Sequence, residues 1–239
     1  MATKYAVLAR TSRLQSVAAS NELETASKDT IEVQNYTVAA GTLVKIASEP
    51  QTDATPTIQV FVYDPVLREP NTTRIYQCTQ DCLLPVSDAL WPFIVSIPEP
   101  NRRLQLLKDE MRSDWLNTIM PGHLVSVSGR HFDSTDNTLY NCIICYIGPV
   151  PEIHPVGYFF GLELLSDVQS PQAADVSFTR KYFECDADEA IFITADRIIP
   201  TPSSEDEDVE QANEAQDNSW SISNFFYNTV ESIRATLPI

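Results

Sequence analysis

Glycine is concentrated in one short stretch of this 239-residue chain: five of its six glycines lie between residues 122 and 161. Because glycine has no Cβ, it permits sharp turns and the close approach of other chain segments. Three runs between these glycines are rich in β-branched and aromatic residues and too short for amphipathic helices: LVSV, NCIICYI and YFFGLELL. The pattern predicts a small, strongly bent antiparallel sheet or barrel whose glycines mark the turns.

The part of the chain before this stretch is also predicted to be rich in strands. Residues 1–30 are polar and lack a clear period. We therefore expect a loosely ordered N-terminus with at most an edge strand at residues 5–9. Three later segments are short, β-branched and partly alternating, with prolines between them: residues 42–47, 58–63 and 74–78. Together these features predict a β-rich segment over residues 31–118.

One helix is predicted within this segment, over residues 101–116. Apolar residues recur there at spacings of three and four, and charged residues occupy the other face: Leu104, Leu107, Met111 and Trp115. Residues 91–97 fit either a helix with Pro92 in its first turn or a strand, and the sequence leaves both interpretations open.

The C-terminal part is predicted to hold a second domain, a linker and a helix. The domain covers residues 119–202, with a polar surface loop after Leu165 and three closing strands: residues 181–184, 190–194 and 197–199. Residues 203–218 are acidic and poor in apolar side chains, which is typical of a disordered linker. Residues 219–239 fit an amphipathic helix. The predicted fold class is α+β, mainly β.

The chain is strongly acidic, with 16 basic and 33 acidic residues and a formal net charge of −17. Nucleic-acid-binding proteins need a basic surface, so nucleic acid is not an expected partner. No apolar run approaches the ~18 residues that span a bilayer. No continuous apolar segment typical of a secretory signal opens the sequence. We therefore expect a cytoplasmic protein without a membrane partner.

The candidate reactive side chains are cysteines and histidines. Without a secretory signal, an odd number of cysteines favours free thiols. Cys142 and Cys145 have the spacing of half a zinc knuckle, but on a strand they would point to opposite faces. Buried apolar cysteine is the favoured interpretation, and no metal is expected. The three histidines lie in or beside predicted turns, and no phosphate-binding or metalloprotease motif is present. The sequence thus predicts neither a catalytic site nor a cofactor.

The segment GYFFGLEL at residues 157–164 resembles the signature of the cytoskeleton-associated glycine-rich (CAP-Gly) domain. That signature reads glycine, any residue, aromatic, any residue, glycine, apolar residue, glutamate, leucine. The resemblance covers about residues 121–200. Within the family, GYFFGLELL and KYFECDADEAIFITADRI are similar to the first CAP-Gly domain of cylindromatosis (CYLD)-type deubiquitinases. The resemblance implies a small antiparallel barrel with a partner-binding groove lined by Phe159, Gly161, Lys181, Phe183 and Phe192.

The same resemblance implies a function in protein–protein interaction. The chain would be the non-catalytic front part of an enzyme of ubiquitin signalling, located in the cytoplasm and contacting signalling or cytoskeletal partners. The Asn/Cys box and the His box of that family's peptidase domain are not found in the sequence. Two alternatives stay open: a ubiquitin-specific cysteine protease by descent, and a microtubule- or tubulin-binding CAP-Gly protein.

The implied groove differs from that of CAP-Gly domains that bind acidic-aromatic C-termini. Those domains carry a GKNDG loop, which the stretch SPQAADVSF replaces here. Without those glycines and that lysine, the backbone cannot pass closely over a carboxylate, and one cation is lost. We expect Phe159 as an aromatic wall, Gly161 as an open floor and Lys181 as a partial replacement for the charge. A proline-rich or apolar segment is the favoured ligand. For the three phenylalanines, plain core packing is the alternative.

Overall fold

The computed structural model describes residues 4–17, 35–48, 57–64, 68–165, 176–184 and 190–201. Its helices are α1 (Trp91–Ser96), α2 (Pro100–Lys108), α3 (Glu110–Thr118) and α4 (Val176–Thr179). Its strands are β1 (Tyr5–Leu8), β2 (Ser12–Val17), β3 (Asn35–Val38), β4 (Leu43–Ile46), β5 (Thr57–Asp64), β6 (Glu69–Pro70), β7 (Ile75–Thr79), β8 (Leu83–Val86), β9 (Leu124–Ser128), β10 (Leu139–Pro149), β11 (Tyr158–Leu164), β12 (Ala190–Ile193) and β13 (Ile198–Pro200). The predicted class, mainly β with few helices, is confirmed.

The N-terminal strands form an antiparallel sheet in the order β3-β2-β7-β5-β4-β1-β8, with β6 paired to β5. The strands predicted at residues 42–47, 58–63 and 74–78 are present as β4, β5 and β7. Their β-branched residues pack on one face of this sheet, where Val44, Ile58 and Val60 are buried.

The prediction of a loosely ordered N-terminus is wrong for the described residues 4–17. β1 is an interior strand between β4 and β8, and β2 pairs with β3 and β7. Both faces of β1 are buried: Ala6 and Leu8 pack in one apolar cluster, while Val7 packs in another. A short strand buried on both faces has no alternating pattern, so its sequence gives no period-two signal.

The helix and strand alternatives at residues 91–97 are decided in favour of the helix. α1 has Pro92 in its first turn, where a missing backbone N–H leaves no hydrogen bond unmade. The Ser87 hydroxyl accepts a hydrogen bond from the Leu90 N–H at 3.2 Å, just before the helix begins.

The helix predicted over residues 101–116 is present as two helices that break at Asp109. This residue has ψ of 92°, outside the helical region, and its carboxylate accepts a hydrogen bond from the Arg112 N–H at 2.9 Å. The break changes the direction of the apolar face, and Met111 is 68% exposed although the spacing predicts it to be buried. A polar residue that competes for backbone donors thus divides a segment with a continuous helical period.

The glycine-rich region forms a five-stranded antiparallel sheet in the order β12-β11-β10-β9-β13. Among the described strands this sheet is open, with β12 and β13 at its edges, and no closed barrel is formed. α1 covers the face that a barrel would enclose: the Phe93 ring stacks on the Phe160 ring of β11 with centroids 5.5 Å apart. Gly122 is in a turn with φ of +94°, as predicted, but Gly148 and Gly161 lie inside strands rather than in turns.

The strand predicted at residues 181–184 is wrong. α4 ends at Thr179, and residues 180–183 continue as a turn in which the Tyr182 and Phe183 N–H groups both donate to the Thr179 carbonyl oxygen. The aromatic residues that suggested a strand instead pack their rings on the five-stranded sheet. The predicted strands at residues 190–194 and 197–199 are present as β12 and β13. The predicted acidic linker and C-terminal helix lie outside the described residues.

One apolar core links the two sheets. It joins Val7 and Leu43 of the N-terminal sheet, the helices α1 to α3, and the inner face of the five-stranded sheet. The chain up to Pro200 forms one compact unit, and the domain boundary near residue 118 stays a prediction. None of the helices in the described ranges is long and apolar enough to cross a bilayer.

Candidate functional site

A bulge in β10 determines which side chains reach the outer face of the five-stranded sheet. The register shifts between Ile144, opposite Leu162, and Tyr146, opposite Gly161, so Cys145 is an extra residue in β10. Before the bulge, Ile144 points into the core and is 1% exposed. After it, Tyr146 points away from the core and lies across from Gly161. Bulges commonly redirect side chains in this way.

Five half-buried aromatic rings gather on this outer face, which α4 and the following turn cover. They form an outer aromatic cluster, with neighbouring ring centroids 5.2–5.6 Å apart: Tyr146, Phe178, Tyr182, Phe183 and Phe192. The tilted and edge-on geometry is the arrangement that aromatic pairs favour. Half-buried aromatic rings concentrated on one face are typical of a surface that binds another apolar group.

Gly161 lies directly beneath this cluster. A Cβ placed on it would come within 2.3 Å of Phe183 Cε1 and 3.0 Å of Tyr146 Cβ. Only glycine therefore lets the Phe183 ring rest on the strand. The floor that the sequence predicts to be open is covered by a ring of the same chain.

The structure brings together three of the predicted groove residues and separates one. Phe183 and Phe192 belong to the outer aromatic cluster, and Gly161 lies beneath it. Phe159 is 3% exposed and lines a neighbouring cavity instead. Phe192 belongs to both places. Phe159 is thus almost fully buried, whereas Phe183 and Phe192 are half-buried.

Lys181, the fifth predicted residue, has an acidic partner. Its Nζ lies 3.1 Å from Glu152 Oε1 and 5.9 Å from the centre of the Phe178 ring. The Tyr182 hydroxyl donates a hydrogen bond to the other oxygen of Glu152. That hydrogen bond, followed by the contact with Lys181, lowers the pKa of Glu152 to about 2. The same hydrogen bond raises the pKa of Tyr182 to about 12. Glu152 therefore neutralises the cation that a ligand carboxylate would need.

Beside the outer aromatic cluster lies a cavity of about 320 Å³, here named the arginine cavity. Three guanidinium groups line it, from segments far apart in the sequence: Arg68, Arg103 and Arg197. Its other walls include Phe159, Phe192 and His154. The sequence carries no signal for this group of cationic residues, because no local motif connects positions that only the fold brings together.

Backbone carbonyl groups hold two of the arginines in place. Arg103 donates to Ile97 O at 2.7 Å, to Gly41 O at 3.1 Å and to Pro98 O at 3.3 Å. Arg68 donates to the Ile153 carbonyl oxygen. These contacts fix the guanidinium planes without neutralising their charge.

His154 forms a neutral wall of the arginine cavity. Its Nδ1 accepts a hydrogen bond from the Gly157 N–H at 2.9 Å, so this nitrogen carries no proton in that arrangement. Burial, followed by the charges of Arg68 and Arg103, lowers the pKa of His154 to about 4. Gly157 makes room for this contact, because a Cβ there would lie 3.0 Å from His154 Nδ1 and 2.7 Å from Ser96 Cβ.

A larger concavity of about 450 Å³ lies on the N-terminal sheet, but its chemistry is less distinctive. Its walls include Arg10, Cys78 and Cys82, and no aromatic side chain. Arg10 already pairs with Asp81 at 2.5 Å. Two features of a ligand site, an apolar wall and a free charge, are thus better developed in the arginine cavity.

The cysteines do not form a site in the part of the chain that the structure describes. Cys142 is buried, and burial raises the pKa of its thiol to about 12. Cys145 is part-exposed in the bulge, with its Sγ 3.6 Å from Glu163 Oε2. No group of three metal-ligating side chains occurs among the described residues.

No protein-family model, curated protein or solved structure matches this chain. Functional conclusions therefore depend on the outer aromatic cluster, on the arginine cavity and on the motif resemblance.

Proposed function

We propose that this chain is a non-catalytic protein–protein interaction module, the CAP-Gly-like front part of a CYLD-type deubiquitinase acting in the cytoplasm. The observation that carries the proposal is the outer aromatic cluster above Gly161. In the proposed domain, β9 to β13 correspond to the CAP-Gly sheet, and the cluster is its partner-binding face.

The two glycines of the signature support this proposal. Gly161 admits the Phe183 ring, and Gly157 admits both His154 and Ser96. At each of these positions a side chain would clash with the residues packed there, so the packing requires glycine. A motif whose glycines are both required by packing is better evidence for a domain type than a match of letters.

The proposed ligand is an internal proline-rich or apolar segment of another protein. Proline-rich segments form an extended polyproline II helix, and their rings pack well on aromatic surfaces. Because this helix exists before binding, the segment loses little conformational entropy when it binds. A terminal carboxylate fits this face poorly, since Glu152 already pairs with Lys181. The acidic charge of the whole chain also opposes an acidic tail.

The proposal is tested by removing one ring of the cluster. Phe178 is half-buried and contacts both Tyr182 and Phe192, so Phe178→Ala is expected to weaken binding of a proline-rich peptide by at least about tenfold. Phe132→Ala is the matched control, because Phe132 is also half-buried but packs on Tyr140 away from the cluster.

Isothermal titration of both variants gives the comparison, after melting curves establish that each variant folds. Equal affinity of the wild type and Phe178→Ala would show that the cluster does not bind the peptide.

A further inference from the structure

The arginine cavity concentrates positive charge in a protein that is otherwise acidic. Arg68 precedes β6, Arg103 lies in α2, and Arg197 ends the 3-10 turn before β13. Among the described residues that line the cavity there is no aspartate or glutamate. Like charges that converge repel one another, so this arrangement favours a bound counter-charge.

Ion pairs with nearby carboxylates offset part of this charge. Asp196 pairs with Arg102 at 3.0 Å, and Glu99 lies 3.6 Å from Arg102 and 3.8 Å from Arg197. Glu99 therefore offsets part of the charge of Arg197, while Asp196 pairs with Arg102, which is not among the residues that line the cavity. The positive charge of the lining is suited to an anion.

Arg197 also keeps an unused hydrogen-bond donor. Its Nε is buried and has no hydrogen-bond partner among the described residues. Its Nη2 reaches Glu99 only at 3.8 Å, which is longer than a hydrogen bond. Buried donors are almost always satisfied in folded proteins, so this unpaired donor, on a residue that lines the cavity, is available to an acceptor of a ligand.

The walls of the cavity favour a ligand that is more than a bare anion. Phe159 and Phe192 form an aromatic side, and a volume of about 320 Å³ is at the small end of ligand pockets. His154 lines the same cavity as Arg68 and Arg103, and its pKa is lowered first by burial and then by these two charges.

We infer that the arginine cavity binds a phosphate group carried on an aromatic or apolar body. Guanidinium groups recognise phosphate oxygens through paired N–H donors, and the carbonyl contacts of Arg103 pre-position its donors. The Phe159 and Phe192 rings would contact the body of the ligand. This inference goes beyond the proposed function, because the cavity lies beside the outer aromatic cluster and does not require a peptide to bind there.

Such a phosphate could come from a free small ester or from a phosphorylated side chain of a protein. Phenyl phosphate represents the first source, and a short phosphotyrosine peptide represents the second. Phenol and inorganic phosphate each supply one half of the ligand. The full chain is titrated with each of the four compounds, and binding is measured by NMR or calorimetry. The comparison separates the contribution of the phosphate group from that of the aromatic ring.

The expected result is saturable binding of phenyl phosphate with Kd of about 1 mM or tighter. Inorganic phosphate should bind more weakly, and phenol should not bind. Arg197→Gln and Arg68→Gln should each weaken phenyl phosphate binding by at least about tenfold. Arg74→Gln removes the same charge from the N-terminal sheet, where Arg74 contacts Tyr36, and should leave the affinity unchanged. Stronger binding of the phosphopeptide would identify a protein as the source.

Three results would overturn the inference: no saturable binding of either phosphate ester, equal binding of phenol, or equal losses in Arg74→Gln and the two cavity variants. Melting curves identify a variant that fails to fold, and the other cavity variant then supplies the comparison. The peptide titration with Phe178→Ala and the phenyl phosphate titration with Arg197→Gln and Arg68→Gln use different ligands and different residues, so failure of this inference is distinguishable from failure of the proposed interaction surface.

Discussion

At the scale of single residues, Gly161 shows how a signature position can be required by packing inside its own chain. The nearest ring atom, Phe183 Cε1, would lie 2.3 Å from an added Cβ. Real Cβ contacts are not that short, so the ring has to move when any side chain is introduced. The outer aromatic cluster therefore depends on this glycine whether or not a partner binds.

Gly161→Ala is expected to destabilise the protein by about 1–3 kcal/mol, because the Phe183 ring loses its place on the strand. Thermal unfolding should show a melting temperature lower by several degrees. In a Phe183→Ala background the same substitution should cost less, since the closest contact is gone. Equal costs in both backgrounds, or an unchanged melt, would contradict this account of the glycine.

Glu152 gives a pH dependence with a definite sign. Its pKa falls from 4.5 to about 2 on folding, mainly through the Tyr182 hydrogen bond. A lowered carboxyl pKa contributes stability that is present above about pH 4.5 and is lost as the pH falls toward 2. Glu152 is exposed, so salt should weaken the effect.

We expect Glu152→Gln to lower the melting temperature at pH 6, and the difference from wild type to shrink as the pH is lowered to about 2. Glu69→Gln, at another exposed glutamate, should show no comparable change. Melting curves across this pH range make the measurement. A difference that stays constant with pH would show that the charge of Glu152 contributes nothing.

At the scale of elements, the break between α2 and α3 is a local feature with a local cause. The Asp109 carboxylate accepts a hydrogen bond from the Arg112 N–H at 2.9 Å and so caps the N-terminus of α3. Because this N–H belongs to the first turn, it has no partner within the helix.

Asp109→Ala should therefore destabilise the protein by about 1 kcal/mol, the usual cost of losing a helix cap. Asp109→Asn keeps an accepting oxygen and should stay close to wild type. Urea unfolding at equilibrium measures both. If the alanine and asparagine variants are equally stable, the cap does not hold the start of α3.

At the scale of the whole molecule, the sequence predicted those elements whose pattern is local. β4, β5 and β7 alternate or carry β-branched residues, and prolines separate them, so their positions were found. β1 was missed as an interior strand because Ala6, Val7 and Leu8 are all buried and leave no alternation. Tyr182 and Phe183 suggested a strand because aromatic residues favour strands, but their rings pack on the sheet from a turn.

The two candidate sites also differ in whether their residues are close together in the sequence. The motif around Gly161 could be found because its residues are neighbours in the chain. The arginine cavity could not, because Arg68, Arg103 and Arg197 come together only when two sheets and α2 are assembled around one core. Contacts between distant segments leave no periodicity in a single sequence.

The central claim is that the outer aromatic cluster binds an apolar or proline-rich segment and does not hold a terminal carboxylate. Its most direct test is titration of the full chain with two peptides, one an internal proline-rich sequence and one ending in Glu-Glu-Tyr. We expect the proline-rich peptide to bind at least about tenfold more tightly, with little dependence on salt because charge contributes little. Micromolar binding of the acidic peptide, lost when its C-terminus is amidated, would contradict the claim.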